Sequence, residues 1–241
     1  MPKRVRVDCR VDAPPVDEET LIVAIDVIRA TTTAVTAVAA GHRCFPVETL
    51  EDIFPLAQRL GPCLLVGEQK GELPEGFYLN NSPAAVAART DVERPIVMLS
   101  TSGTRLIRSA GRRGPVQIAC LRNVTAQARG VLGRDDVALV GLSSDGDFRE
   151  EDQLCCARIA ALLVEAGYEP DVQAREVIDR WGGAPSDAFV EGKSVAYLRR
   201  TGQLADLQFI LEHVDDLDST YSLRGDEIVK DMPGGQPPSG R

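Results

Sequence analysis

Short apolar runs alternate along most of the chain with stretches in which apolar residues recur every three or four positions. The short runs, bounded by turn formers, have the length of buried strands and lie at residues 5–7, 21–27, 44–47, 63–66, 96–99, 116–120 and 137–142. The helical stretches fall at 31–40, 50–60, 104–110 and 151–166, each followed by a glycine (Gly41, Gly61, Gly111, Gly167) where a left-handed residue would end a helix. Beyond residue 170 the spacing predicts helices at 186–200 and 204–214, broken at Gly202, while 227–229 is strand-like with no assigned place. Strands alternating with helices predict an α/β fold, a three-layer α/β/α arrangement around a largely parallel or mixed sheet. Residues 1–231 are expected to form a single catalytic domain, the alternative being a second lobe that begins within 115–170. Residues 232–241, rich in Pro and Gly, read as a disordered tail.

Composition narrows the class. A chain of 241 residues, 44% hydrophobic and 26% charged, can bury a large core. Its formal net charge of -9 argues against a nucleic-acid partner, because phosphate backbones need clustered Lys and Arg. The densest basic group, Arg108, Arg112 and Arg113, reads as a solvated helix end. Six cysteines without a C-x-x-C pair fit a reducing cytoplasm, where a thiol packs as a small hydrophobe. No apolar segment follows the basic N-terminus and no run reaches membrane-spanning length, so a cytoplasmic protein without membrane association is expected. A homodimer is the default oligomer.

One local theme occurs three times: a buried strand ends in hydroxyl or acidic residues and a helix begins. It appears at Asp26 before Thr31-Thr32-Thr33, at Ser100-Thr101-Ser102-Gly103-Thr104, and at Ser143-Ser144-Asp145-Gly146. In open α/β sheets such strand ends line a ligand crevice. Asp26 closes an apolar run, so its carboxylate emerges at a strand end; it suits Mg²⁺, a hard cation that takes oxygen ligands, or else an ion pair with Arg29 or a helix cap. The Thr101 to Thr104 turn suits a phosphate at a helix N-terminus, or ordinary capping. Glu68 is a second carboxylate on this rim, and Asn81 and Ser82 before Pro83 are hydrogen-bonding partners or a cap. Asp145, Asp147, Glu150, Glu151 and Asp152 enter a helix where the macrodipole favours acids, with Glu151 or Asp152 as the inward-turning candidate.

Several chemistries are excluded by inspection. Gly192-Lys193-Ser194 resembles the end of a P-loop, but the required first glycine falls at Asp187. G-x-G-x-x-G, H-E-x-x-H and G-x-S-x-G are absent, and no cysteine begins a phosphatase loop. Two histidines, His42 and His213, are too few for a histidine-based zinc site. The second aspartate of a haloacid-dehalogenase-like phosphatase is replaced by Ile28. Carboxylate, hydroxyl and metal chemistry remains.

Taken in order, Ile25-Asp26-Val27-Ile28-Arg29-Ala30-Thr31-Thr32-Thr33, Gly67-Glu68 with Gly76-Phe77, Asn81-Ser82-Pro83, Thr101-Ser102-Gly103-Thr104 and Glu151-Asp152 resemble the 2-phosphosulfolactate phosphatase family, from about residue 5 to Gly167. The resemblance implies Mg²⁺-dependent hydrolysis of 2-phospho-3-sulfolactate to 3-sulfolactate and phosphate, a step in coenzyme M biosynthesis. It implies Asp26, Arg29 and Glu68 as catalytic residues and Asp26, Glu68, Glu151 and Asp152 as Mg²⁺ ligands. Thr31, Thr32, Asn81, Ser82, Thr101, Ser102, Gly103 and Thr104 would bind the phosphorylated, acidic substrate. The chain departs from the family where Gln69 and Lys70 replace Arg and Gly, and where Tyr78-Leu79-Asn80 replaces Asp-Leu-Gly. Two other readings stand beside this one: a phosphatase for another small phosphorylated acid, and a non-catalytic module binding a phosphate ligand.

Overall fold

The computed structural model describes residues 2–10, 19–144 and 146–231. The expected tail at 232–241 and Asp145 lie outside the described residues.

The first half of the chain runs β1 (Arg4–Asp8), β2 (Leu21–Ile25), α1 (Ala30–Ala39), β3 (Cys44–Val47), α2 (Ile53–Leu60), β4 (Leu64–Gly67), α3 (Pro83–Ala87), β5 (Ile96–Leu99) and α4 (Gly103–Gly111). The second runs β6 (Val116–Ala119), α5 (Val124–Gly130), β7 (Asp136–Val140), a small hairpin β8 (Ser143–Ser144) and β9 (Asp147–Phe148), α6 (Glu150–Glu165), β10 (Glu169–Pro170), α7 (Val172–Trp181), α8 (Lys193–Arg200), α9 (Leu204–Glu212), β11 (Tyr221–Arg224) and β12 (Glu227–Lys230).

One sheet of ten strands, ordered β10-β1-β7-β2-β6-β11-β12-β3-β5-β4, carries the fold. It is mixed. Two parallel groups, β10-β1-β7-β2-β6 and β3-β5-β4, are joined by the antiparallel β11–β12 hairpin. Because β6–β11, β11–β12 and β12–β3 are all antiparallel, the two groups run in opposite senses.

Alternation of side chains assigns three cores. In β2, Leu21, Val23 and Ile25 enter a core with α5, α6 and α7, whereas Ile22 and Ala24 enter a central core with α1 and α4. In β5, Ile96 and Met98 join that central core, and Val97 and Leu99 face a third, around α2. Both parallel groups therefore share the core that holds α1. This explains why α1 lacks a polar face: residues 30–37 are all buried and none is charged. Cys44, Cys120, Cys155 and Cys156 are buried and all six thiols are free; burial pushes Cys44 up to about 12 and Cys120 to about 11.

Several boundaries differ from expectation. Strand β2 stops at Ile25, because the backbone turns at Asp26, whose C=O accepts from the Thr31 N–H. Gly111 does not stop α4 in the left-handed region; it is the last helical residue, where a Cβ would overlap Leu223. Only 193–200 of the stretch 186–200 is helical, since Gly192 is the extended N-cap residue. No helix was expected over α7, although Asp171 caps it by accepting from the Ala174 N–H at 2.7 Å. Among the described residues, no helix is long and apolar enough to cross a membrane.

Candidate active site

The turn after β2 folds on itself. The Asp26 N–H donates to Thr31 Oγ1 at 2.9 Å, Thr31 Oγ1 donates back to the Asp26 carbonyl at 2.9 Å, and Thr32 Oγ1 donates to the Val27 carbonyl at 2.8 Å. Thr31 and Thr32 thus spend their hydroxyls on shaping the turn, as Ser and Thr commonly do at helix starts. The Asp26 carboxylate, 3% exposed, lies beneath Gly103 at the start of α4, where any Cβ would overlap Asp26 Oδ2 and the Ala30 methyl. Only glycine permits that approach.

The second strand end, after β5, is capped from within. Ser100 Oγ accepts from the N–H groups of Gly103 (2.9 Å) and Thr104 (3.2 Å), and Thr104 Oγ1 accepts from the Ser100 N–H at 2.9 Å. Glu68 Oε1 accepts from the Thr101 N–H at 2.6 Å, and its Oε2 from the Thr101 hydroxyl and the Gly71 N–H, both at 2.7 Å. The donors at Thr101, Gly103 and Thr104 are therefore engaged with Glu68 and Ser100. Glu68 clamps the turn to its own loop, in which Lys70 holds φ of 54°, a left-handed conformation uncommon for residues other than glycine.

The third contribution comes from the first turn of α6, where both acidic candidates turn inward. Asp152 accepts from the Val27 N–H at 2.8 Å and the Leu142 N–H at 3.0 Å, stitching the Asp26 turn to the end of β7. Glu151, 1% exposed, leaves Oε1 without a partner. Asp147 and Glu150 stay at the surface, paired with Lys193 and Arg180. Arg149, absent from the expected set, brings its Nη1 to 3.5 Å from Asp26 Oδ1 while its Nε donates to Ser144 Oγ at 2.9 Å.

Electrostatics follow from this burial. Desolvation pushes the Asp26 carboxyl up, with Glu68 adding to it, while Arg149, the Ala30 N–H and Arg29 oppose it. Burial likewise raises Glu151, opposed by Ser194 and Arg149. Asp152 is raised well above the ordinary value by burial and by Glu151 and Asp26. Three carboxyls thus share one buried environment with Arg149 as the foremost opposing cation, an arrangement that favours a bound cation or a retained proton.

Arg29 faces elsewhere. Its Nη1 donates to Asp206 Oδ2 at 2.5 Å and to Gln203 Oε1, and its Nη2 reaches Asn80 Oδ1 at 3.4 Å. Asp206 also accepts from the Ser82 hydroxyl, so the buried pair Arg29 and Asp206 forms one network with half-buried Ser82. Asn81 is buried beside it, with Oδ1 lacking a partner. Asp206 was missed, yet it sits four residues before buried Ile210, on the inward face of α9.

Two cavities of about 440 Å³ flank these residues. The first lies between the first turns of α6 and α8 and is lined by Arg149, Glu151, Arg180, Lys193 and Ser194, among others. The second is lined by Glu68, Gln69, Lys70, Thr101, Arg105 and Arg112, among others. Among the described residues, no group of three or more His, Cys, Asp or Glu side chains forms a metal cage.

This is an α/β enzyme site made of carboxylates, hydroxyls and guanidinium groups gathered from the ends of β2, β4 and β5 and the start of α6. The chain belongs to the 2-phosphosulpholactate phosphatase family, a family of phosphoric monoester hydrolases, whose family model matches residues 10–219. It is 35% identical over 213 residues to a protein of Symbiobacterium thermophilum named "Probable 2-phosphosulfolactate phosphatase", an alignment covering 83% of this chain and 90% of that protein. A protein of Deinococcus radiodurans with the same name is 33% identical over 213 residues, covering 86% and 88% of the two chains.

Proposed function

We propose that the protein is a Mg²⁺-dependent phosphatase that hydrolyses 2-phospho-3-sulfolactate to 3-sulfolactate and phosphate. The family and the names of its relatives support the substrate. The observation that carries the reading is the buried pair Asp26 and Glu151 beside Arg149, with Glu151 Oε1 lacking any partner. A buried carboxylate oxygen without a donor is costly, and a cation relieves that cost.

Mg²⁺ is commonly held by one or two carboxylates, with water and substrate phosphate completing its shell, so a cage of several protein ligands is not required. Asp26 and Glu151 fit this donor set. Asp152 and Glu68 have both oxygens committed to N–H and hydroxyl donors, and they hold the turns that position the pair. When bound, the ion neutralises phosphoryl charge, the main requirement in phosphate-ester hydrolysis. Arg149 supplies a planar donor fork for phosphoryl oxygens at the same place. Ser100 and Glu68 fix the start of α4, and Gly103 admits the Asp26 carboxylate beneath it. Arg29 keeps the turn in register through Asp206 and Gln203. All six free thiols fit a reducing cytoplasm.

A second reading, hydrolysis of another small phosphorylated acid, is favoured by Gln69 and Lys70 lining the second cavity. Phosphate release from phosphosulfolactate and from a panel of phosphorylated hydroxy acids, each with Mg²⁺, separates them. The highest kcat/KM is expected for phosphosulfolactate. A higher value for another ester would select the second reading, and no release from any ester would overturn both.

A further inference from the structure

Gln153, in the first turns of α6, carries a half-buried side chain that phosphoryl chemistry itself does not use. Its Nε2 donates to the Phe148 carbonyl at 2.7 Å, and its Oε1 accepts from the Trp181 indole N–H at 3.0 Å. An indole N–H can only donate and a carbonyl can only accept, so a single orientation of the amide satisfies both. The backbone N–H of Gln153 donates to the Arg149 carbonyl at 2.9 Å.

One residue therefore holds two consecutive carbonyls, and these belong to the peptide groups on either side of the Arg149 Cα. The Arg149 N–H is fixed as well, donating to the Leu142 carbonyl at 2.9 Å. Together these bonds set the direction in which the Arg149 side chain leaves the backbone, toward Ser144 Oγ and Asp26 Oδ1. The amide is braced from behind. Trp181, 6% exposed, is the last residue of α7, and the Arg180 guanidinium covers its ring at 4.8 Å from the centroid. The Phe148 ring lies against Gly141, just past the end of β7, where a Cβ would overlap it.

We propose that Gln153 is a positioning residue for the hydrolysis: its two bonds aim the Arg149 guanidinium at the phosphoryl group beside Asp26, and Trp181 fixes its amide. The inference rests on the reading of Arg149 as a donor to phosphoryl oxygens. An arginine side chain has many rotamers, and holding its root in one direction removes part of the entropy that ordering it would cost at each turnover.

The test is a double-mutant cycle of Gln153→Met and Arg149→Ala, read as kcat/KM for phosphosulfolactate with Mg²⁺, together with hydrogen exchange at the Arg149 N–H. Methionine keeps the length of the side chain, adds no charge and removes both side-chain bonds. Trp181 is the only tryptophan of the chain, so its fluorescence shows whether each variant is folded. If Gln153→Met does not fold, Gln153→Glu replaces it, keeping the acceptor for Trp181 and losing only the donor to Phe148. If Arg149→Ala is too slow to measure, Arg149→Lys takes its place.

Gln153→Met is expected to lower kcat/KM about tenfold when Arg149 is present and less than about twofold when it is replaced, and to speed exchange at the Arg149 N–H about fivefold or more. Equal losses in both backgrounds would make Gln153 a general support of the fold and overturn the proposal. Wild-type kcat/KM in Gln153→Met, or unchanged exchange, would overturn it too. Wild-type kcat/KM in Arg149→Ala would instead fail the reading of Arg149 as a phosphoryl donor, and the exchange rate then decides by itself whether Gln153 holds Arg149. If wild type does not hydrolyse phosphosulfolactate, the proposed substrate fails separately and the same cycle runs on the best ester of the panel.

Discussion

Gly103 covers the carboxylate of Asp26 so closely that a Cβ on it would overlap Asp26 Oδ2, with Asp26 Cγ at 3.1 Å. The contact joins the end of β2 to the start of α4 and so links the two parallel groups of the sheet. Gly103→Ala must separate them. It should destabilise the fold by about 1–3 kcal/mol, the usual range for overpacking, and lower kcat/KM about 100-fold by displacing the carboxylate. Denaturant unfolding and steady-state kinetics check the two effects. A variant with wild-type kcat/KM would show that the contact does not position Asp26.

Burial raises the Asp26 carboxyl above its ordinary 3.8, so its ionisation opposes folding. In this group the folded state holds its proton more tightly than the unfolded chain, and stability falls as pH rises from the unfolded value through the folded one. Asp26→Asn removes that fall. The variant should gain stability relative to wild type as pH rises above about 4, while turnover drops by about 100-fold or more. Urea unfolding of both proteins at several pH values measures the difference; a difference that shrinks with rising pH would contradict the assignment.

Asp206 and Arg29 form an ion pair in which neither side chain is more than 5% exposed. Removing one partner leaves a buried charge uncompensated. Asp206→Ala should therefore cost about 3–5 kcal/mol, and adding Arg29→Met should recover part of the loss. Chemical denaturation of the single and double variants gives the coupling, and additive effects would show that the pair is not the source of the cost.

Much of the sheet was legible because buried strands are continuous apolar runs, and β2, β3 and β5 are buried at every position. The sites named by strand ends also converge: Asp26 with Gly103, and Glu68 with Thr101. What was hidden depends on tertiary direction. The sequence has Arg29 three residues from Asp26, but the guanidinium points to α9, far along the chain. Ser100 looked like part of an anion-binding turn, whereas its hydroxyl consumes the N–H groups such an anion would use. The β11–β12 hairpin carried a local signal, the two-residue loop Gly225-Asp226 with Gly225 at φ of 62°, but its insertion between two distant strand groups has no local signature.

The central claim is that Asp26 and Glu151 hold the Mg²⁺ needed for phosphosulfolactate hydrolysis. Phosphate release measured against Mg²⁺ concentration, after EDTA treatment, in wild type and Glu151→Gln tests it most directly. Wild type should be inactive without the ion and recover on its return, and Glu151→Gln should need about tenfold more Mg²⁺ or greater for half-maximal rate. Full activity in EDTA, or an unchanged Mg²⁺ requirement in the variant, would contradict the account.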